Sequence, residues 1–477
     1  MPLSADWLPV STPLDPAEDP PNSVDPLGTL LPAERLAEIL LPGFTVRMWR
    51  CRLLTIATVA AAVAERAVAL MNNRDDPRLD ARLAFERLFV SAVVRLAERD
   101  PQFANAPRGL PGRDLAKTAL LSGEPLTSAN FLKGQAVNGP FGVIARLARQ
   151  LELIDDEGQM GRNAVPLLIA WSDDEKLSGV LDEDVAATRT GAKWMSDTAK
   201  RTVKCIGHPE WPGPNHSIWD QLAVHIRPDK IGCRERRFLR QILFSSPVRR
   251  RMGELLTKRV DIYRQAWSTD GNRGRVERAV LIRGIRPELA DNPIDRLIGA
   301  AIGAADAYEQ TAGLLQQTFD GLVWGLKRRG GRARPEAVVD DARLRRHLEK
   351  TRIELQKIVP ILDRTALTLG NQPSVSPPLV VEPLRQVRED AARASASLKS
   401  LTDTVLRRHE RVHREKRKAP WIECESHWTL MPGEHRVDGD SPPVWKNTYL
   451  HPFKIPNAYS LLGDLGDVAL ENLNVES

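Results

Sequence analysis

Two stretches decide the fold of this chain: LRRHLEKTRIELQKIVPIL at 344–362 and LRQVREDAARASASLKSLTDTV at 384–405. In both, apolar or small side chains recur at alternating spacings of four and three residues, which places them along one side of a helix. Between them, NQPSVSPPLVVEP at 371–383 is rich in residues that end helices. The pattern therefore predicts an antiparallel coiled-coil hairpin whose first arm is kinked at Pro360.

The composition favours helices along the rest of the chain as well. Aromatic residues make up 5% of the sequence, which is low for a β-sandwich or a β-barrel. We therefore predict a mainly α protein, a multi-helix assembly with a winged-helix-like unit and the C-terminal hairpin. Along the 477 residues we expect a disordered leader at 1–28, a helical N-terminal region at 29–109, the winged-helix-like unit at 110–172, a central helical region at 173–335, the hairpin at 336–420 and an irregular tail at 421–477.

Several features of the sequence indicate a cytoplasmic protein. The longest apolar run, Leu53–Ala64, ends at Glu65. Because a membrane span needs about 20 apolar residues, we expect a buried helix and no membrane association. The N-terminus lacks the basic start and apolar core of a signal peptide. The 4 cysteines are too few for a disulfide scaffold in so long a chain.

Residues 110–172 follow the element order of a winged helix. The sequence predicts helices at Asp114–Leu121 and Ser128–Gln135, a third helix after Pro140, a short β-hairpin around Asp155–Gly158 and a closing helix at Asn163–Trp171. In the third helix, Arg146 and Arg149 point away from the apolar side, where they would contact phosphates or base edges of a DNA major groove. The acidic tip of the predicted wing argues against DNA binding, because it would repel the phosphates. The alternatives are a protein-binding or a purely structural winged helix.

Two further basic segments extend the prediction of nucleic-acid binding. The formal net charge of +6 permits such a partner without requiring it. Arginines alternate with apolar residues from Arg234 to Arg251, and a second cluster runs from Arg407 to Lys418. Such arginines also commonly cover apolar surface and pair with nearby acids. The predicted nucleic-acid-binding residues are Arg146, Arg149, Arg234, Arg236, Arg237, Arg240, Arg249, Arg250, Arg251, Arg407, Arg411, Arg414, Lys416, Arg417 and Lys418.

The sequence from Arg408 to His413, RHERVH, resembles the catalytic motif of the all-helical HEPN ribonucleases. The resemblance implies that Arg408 stabilises a scissile phosphate and that His413 transfers protons, without a metal, in a cleft between paired chains. An imidazole that titrates near neutral pH and a fixed guanidinium both suit phosphodiester cleavage. The alternative is a basic, solvated helix end that interacts favourably with the helix dipole.

Two Cys-x-x-His pairs have a spacing found among zinc ligands. Cys205 with His208 and Cys424 with His427 would form a tetrahedral site if the fold brings the pairs together. The pairs lie far apart in the sequence, and buried free cysteines are common, so the alternative is a protein without a cofactor. The sequence contains no phosphate-binding loop, zinc-protease motif, nucleophile elbow or dinucleotide fingerprint.

Three passages together resemble a group of uncharacterised, large helical bacterial proteins. They are Leu41-Pro42-Gly43 before the apolar helix, the segment Gly139–Trp171, and residues between Arg408 and Phe453 that include Pro420-Trp421 and His451-Pro452-Phe453. That resemblance implies an accessory protein encoded beside helicases or nucleases in phage-defence islands, and it supplies no catalytic residue.

From the residues and this resemblance, we expect a non-enzymatic, DNA-associated adaptor of a bacterial anti-phage system. Its expected partners are duplex DNA and a helicase or nuclease. Two alternatives remain open. One is a HEPN-like ribonuclease that uses Arg408 and His413, and the other is a protein-binding scaffold without nucleic-acid contact.

Overall fold

A computed structural model describes residues 25–71, 77–182, 189–206, 210–431, 437 and 439–469. Within these ranges the chain is mainly α-helical, with nineteen α-helices and three short strands. The predicted fold class, mainly α, is therefore confirmed. The chain divides into two compact units: the chain up to Leu40 with Asp261–Phe453 forms unit 1, and Leu41–Val260 with the chain from Lys454 forms unit 2.

The helices and strands have the following bounds. In chain order the helices are α1 (Leu30–Leu40), α2 (Leu53–Met71), α3 (Arg78–Arg99), α4 (Arg113–Leu121), α5 (Gln135–Asn138), α6 (Pro140–Gln150), α7 (Ala164–Asp174), α8 (Thr190–Lys204), α9 (Ile218–His225), α10 (Cys233–Leu243), α11 (Pro247–Lys258), α12 (Val260–Asp270), α13 (Arg273–Ala279), α14 (Pro293–Lys327), α15 (Pro335–Val339), α16 (Ala342–Gly370), α17 (Glu382–Ala394), α18 (Leu398–Glu415) and α19 (Ile455–Asp464). The strands are β1 (Arg332–Ala333), β2 (Ile422–Cys424) and β3 (Trp428–Leu430). Short π-helical segments lie at Val280–Ile285 and Pro377–Val381.

Unit 2 is built around the apolar helix α2. Every residue from Leu53 to Ala64 is buried, and α2 packs against α3, α6, α7 and α8. By length and composition α2 is apolar enough to cross a membrane, but 72% of that stretch is buried inside the protein. This burial is that of a core helix, which is the expectation from its sequence.

A buried ion cluster connects the start of α2 to two other helices of unit 2. The guanidinium of Arg52 lies 2.8 Å from Glu175 Oε1 and 3.1 Å from Glu235 Oε1. It also donates hydrogen bonds to the carbonyls of His225 and Arg227. Arg52 and Glu235 have no exposed side-chain surface. Because a buried charge without a partner is very unfavourable, these groups depend on one another.

The region predicted as a winged helix contains some of the expected elements. Helices α4, α6 and α7 lie where the sequence predicts them, and Pro140 occupies the first turn of α6. The helix predicted at Ser128–Gln135 does not form: residues 128–134 are turns and irregular chain, with the Asn130 side chain bonded to Thr127 and Pro125, and α5 begins only at Gln135. The predicted wing contains one antiparallel bridge, between Ile154 and Met160. The winged-helix assignment itself stays a prediction.

Unit 1 is organised around the long helix α14. Pro293 lies in its first turn, and the Asn292 side chain caps it by accepting hydrogen bonds from the Ile294 and Asp295 N–H groups. α14 packs against α1, α16, α17 and α18, so most of its circumference is buried. Beside α14 lies a small antiparallel sheet in the order β1-β3-β2, in which Arg332 pairs with Thr429.

The residues of the predicted hairpin lie in three helices of unit 1. α16 is continuous through Pro360 and buries the whole predicted seam from Leu344 to Leu362. The second arm is divided, because the Ser397 hydroxyl accepts a hydrogen bond from the Ser400 N–H and starts α18 as a new helix. α16 packs against α14 as well as α17, so its apolar side is covered inside unit 1. Coiled-coil packing of the two arms stays a prediction.

Candidate functional site

The predicted nucleic-acid-binding residues of unit 2 are largely engaged within the protein. Four arginines form ion pairs with carboxylates: Arg149 with Asp156, Arg234 with Asp173, Arg240 with Asp467, and Arg251 with Glu254. Backbone carbonyls accept hydrogen bonds from Arg236, Arg249 and Arg250. Arg146 is half-buried, and Arg237 is exposed. A guanidinium that pairs with an acid is less available to a phosphate, so this geometry lends limited support to a DNA surface here.

Arg408 lies at the centre of a buried polar network in unit 1. Its Nη1 is 2.7 Å from Asp390 Oδ2. Its Nε and Nη2 donate hydrogen bonds to the carbonyls of Leu27 and Gly28, at 2.6 and 3.1 Å. The side chain is 6% exposed. All three guanidinium nitrogens therefore act inside unit 1, where they connect α18 to α17 and to the segment before α1.

The two histidines of the same motif are buried beside it. His409 Nδ1 donates a hydrogen bond to the Pro26 carbonyl at 3.0 Å, and its Nε2 accepts one from the Trp421 N–H at 2.8 Å. These partners fix the neutral, Nδ1-protonated tautomer of His409. His413 has no exposed surface, and its Nδ1 donates to the Ala419 carbonyl at 2.7 Å. Burial lowers the pKa of His413, so its imidazole is neutral at pH 7.

The placement of Arg408 and His413 differs from the one that the ribonuclease hypothesis requires. That chemistry needs both side chains in an accessible cleft, where they can reach a phosphodiester. Here both side chains are buried: the Arg408 guanidinium bonds to Asp390 and to backbone carbonyls, and His413 Nδ1 bonds to the Ala419 carbonyl, while His413 Nε2 is enclosed by the protein without a hydrogen bond to any residue that the structure describes. The arrangement supports a structural role for both residues.

The remaining cations of the α18 segment divide into two groups. Arg411 lies 3.1 Å from Asp390, Arg414 pairs with Glu410 at 2.6 Å, and Lys416 donates to the Asp25 carbonyl at 2.8 Å. Lys418 is half-buried. Arg407 and Arg417 are exposed, and neither has an acidic partner among the residues that the structure describes.

The structure also brings together a hydroxyl, an imidazole and a carboxylate that sequence reasoning did not connect. His451 Nδ1 lies 2.6 Å from Glu309 Oε1, and His451 Nε2 lies 3.2 Å from Thr29 Oγ1. This is the order of groups in a hydrolase triad. Sequence reasoning had no signal for it, because the three residues belong to α14, the segment before α1 and the tail.

The hydrogen bonds around His451 favour a protonated imidazole, which lacks the free nitrogen that the base of a triad needs. The Thr29 hydroxyl donates its proton to Asp25 Oδ1 at 3.1 Å, so it accepts from His451 Nε2. With Glu309 accepting from Nδ1, both ring nitrogens carry protons. Burial alone lowers the pKa of His451, but the hydrogen bond and charge of Glu309 raise it above its ordinary value. The imidazolium therefore forms a buried ion pair with Glu309 and contributes to the fold.

The predicted zinc ligands do not form a metal-binding group among the residues that the structure describes. His208 lies outside the described residues. Cys205 belongs to unit 2, whereas Cys424 and His427 belong to unit 1. Burial raises the pKa of both cysteine thiols to about 11, which disfavours the thiolate that zinc binds. Among the described residues no group of three or more His, Cys, Asp or Glu side chains has a metal-binding arrangement. Zinc binding stays a prediction.

Unit 1 contains a groove of about 340 Å³ between α14, α16 and the segment Val444–Asn447. Trp445 forms one wall: its backbone N–H donates to Gln317 Oε1, and its Nε1 donates to the Thr448 carbonyl, both at 2.9 Å. The indole lies against Gly313 of α14, where a Cβ would approach the Trp445 ring to 2.4 Å. The missing side chain therefore allows the indole to lie flat on the helix.

Polar side chains at one end of this groove connect α14 to α16. Gln317 Nε2 donates to the Thr351 hydroxyl at 2.6 Å, and that hydroxyl donates to the His347 carbonyl at 3.0 Å. His347 Nε2 donates to the Gln317 carbonyl at 3.4 Å. Burial lowers the pKa of His347, so it is neutral at pH 7. These bonds hold Gln317, Thr351 and the neutral His347 in place at the polar end of the groove.

A smaller cavity of about 40 Å³ in unit 2 adjoins the buried carboxyl of Glu86. Glu86 Oε2 accepts from the Phe141 N–H, and Oε1 accepts from Gln135 Nε2, both at 2.8 Å. Burial raises the pKa of Glu86 to about 7, although these hydrogen bonds oppose the shift. Glu86 also explains Gly139, since a Cβ there would meet its Oε1 at 2.1 Å. The carboxyl caps α6 and fixes its start.

Comparison with known proteins gives no match to this chain: no family model, curated protein or solved structure is significantly similar to it.

Proposed function

We propose that this protein is a non-enzymatic scaffold that assembles with a macromolecular partner. The observation that carries the proposal is that the side chains most suited to catalysis are buried and bonded inside unit 1. Arg408 and His413 bond to Asp390 and to backbone carbonyls, and the His451 imidazolium pairs with Glu309. A catalyst needs such groups accessible to substrate. Here they connect α14, α17 and α18 to the segment before α1 and to the tail, which suits a rigid binding body.

Association with duplex DNA is a second candidate property of the same scaffold. It is favoured by the exposed cations Arg407 and Arg417 on α18 and in the turn after it, which have no acidic partner among the described residues. Unpaired cations on one segment release counterions when they meet phosphates, which is the main source of non-specific affinity. The context of an anti-phage system with a helicase or nuclease partner belongs to this proposal and rests on the sequence resemblance alone.

The test is to incubate the full-length protein with labelled duplex DNA, single-stranded DNA and RNA across a salt series and to measure binding and strand integrity together. The scaffold proposal predicts that all three nucleic acids stay intact. Cleavage of RNA that the His413→Asn variant abolishes would overturn it in favour of the ribonuclease.

The DNA property is tested in the same series with matched variants. If Arg407 and Arg417 contact phosphates, the Arg407→Gln/Arg417→Gln variant should bind duplex DNA more weakly and show a salt slope lower by about two. The control is Arg346→Gln/Arg364→Gln, which removes two exposed arginines from α16 instead. Equal losses of DNA affinity in both double variants, or no DNA binding by the wild-type protein at low salt, would refute specific contact by the α18 segment.

A further inference from the structure

We propose that the groove between α14, α16 and Trp445 binds a small organic monoanion with a flat, apolar ring system. The groove volume of about 340 Å³ falls in the range of small-molecule sites, which begins at roughly 300 Å³. The site is separate from the cations considered above, so its test is independent of the proposed scaffold function.

The ring system is inferred from the walls of the groove. One wall is the indole of Trp445, which two hydrogen bonds and the glycine at position 313 fix against α14. The other apolar walls of the groove are the aliphatic side chains of Leu314, Ile358 and Ile361. A flat ring can stack on the indole while the aliphatic side chains cover its edges. Because the indole is already fixed in place, little conformational entropy is lost on binding.

The single negative charge is inferred from the charges along α16. Two lysines line the groove, Lys350 and Lys357. Lys357 is neutralised by Glu354, whose carboxylate lies 2.8 Å from its Nζ. Lys350 is exposed and has no ion pair in the described part of the chain. The groove therefore presents one uncompensated positive charge at its polar end, beside the neutral His347.

The positions of these groups along α16 define the orientation of the ligand. Lys350 lies one turn from His347 at the polar end, whereas Ile358 and Ile361 lie two to three turns further along the helix. An anionic group at Lys350 thus leaves the ring system between Trp445 and the aliphatic end. Since Lys350 is the one lysine without an ion pair among the described residues that line the groove, the groove suits a monoanion better than a dianion such as sulfate.

The experiment compares 2-naphthoate with its neutral isostere 2-naphthamide by isothermal titration calorimetry on the full-length protein. We expect naphthoate to bind about fivefold more tightly, which is what one partly exposed charge pair contributes. Lys350→Met should abolish that preference and leave the affinity for naphthamide unchanged. The matched control is Arg364→Met, which removes a charge from the same helix outside the groove, and it should leave both affinities unchanged.

A second variant, Trp445→Leu, tests the ring contact. This variant should bind naphthoate and naphthamide more weakly by similar factors, because both probes stack on the indole. The proposal is overturned if the two probes bind equally, if neither binds at millimolar concentration, or if Lys350→Met leaves the preference intact. Should Trp445→Leu fail to fold, the surface change at Lys350 still decides the question.

Discussion

Replacing Glu86 by glutamine should change the way in which stability depends on pH. Glu86 is fully buried, and burial raises the pKa of its carboxyl from the ordinary 4.5 to about 7. The folded state therefore binds the proton more tightly than the unfolded state does. The stabilisation from this proton is complete below about pH 4.5, and it is lost as pH rises through about 7.

The magnitude follows from the separation of the two pKa values. A pKa of about 7 against the ordinary 4.5, at roughly 1.4 kcal/mol for each tenfold difference in proton affinity, gives about 3 kcal/mol. Glutamine does not titrate, so the free energy of unfolding of the Glu86→Gln variant, relative to wild type, should rise by about that amount between about pH 4 and about pH 8. At low pH the variant should be the less stable protein, because Phe141 and Gln135 both donate to this position and an amide has one acceptor oxygen.

The assay is urea unfolding followed by circular dichroism at a series of pH values. Glu98→Gln is the control, since Glu98 is an exposed carboxylate on the same helix that pairs with Lys117. Its effect should stay within about 0.5 kcal/mol at every pH. Parallel stability curves for wild type and Glu86→Gln would refute the reasoning, because they would mean that Glu86 binds its proton equally in both states.

Three further substitutions have defined expected effects on the free energy of unfolding, which urea titration measures. Arg52→Met leaves the buried Glu235 without its cation, while Glu175 keeps its contact with Lys230, and should cost about 3–5 kcal/mol; a loss under about 1 kcal/mol would show that the cluster is not desolvated. Gly313→Ala places a methyl group against the Trp445 ring and should cost about 1–3 kcal/mol, with a change in near-ultraviolet circular dichroism as the indole moves. Asn292→Ala removes the cap of α14 and should cost about 1 kcal/mol, whereas Asn292→Asp should retain most of the stability.

Local pattern in the sequence was sufficient to predict individual helices. The apolar run in α2, the four-three spacing in α16 and the Pro140 start of α6 each depend on residues within a few turns of one another. Helical periodicity is a property of neighbouring residues, so it specifies a helix and its apolar side without reference to the rest of the chain. The fold class was predicted for the same reason.

The same pattern did not predict what covers each apolar side or where the charged side chains lie. The seam of α16 predicted a partner in the following helix, but α14, which precedes it in the chain, covers it as well. The groove likewise depends on Trp445, which packs on Gly313 of α14, a residue that lies 132 positions earlier in the chain.

The basic, histidine-rich end of α18 illustrates this difference most clearly. Its sequence has the features of a solvated or catalytic helix end, and no local property indicates that Arg408 and His409 are buried. Their burial depends on the carbonyls of Pro26, Leu27 and Gly28, which lie about 380 residues earlier and accept their hydrogen bonds. Whether a guanidinium or an imidazole meets water or a carbonyl is a property of distant chain segments brought together, and only the tertiary structure decides it.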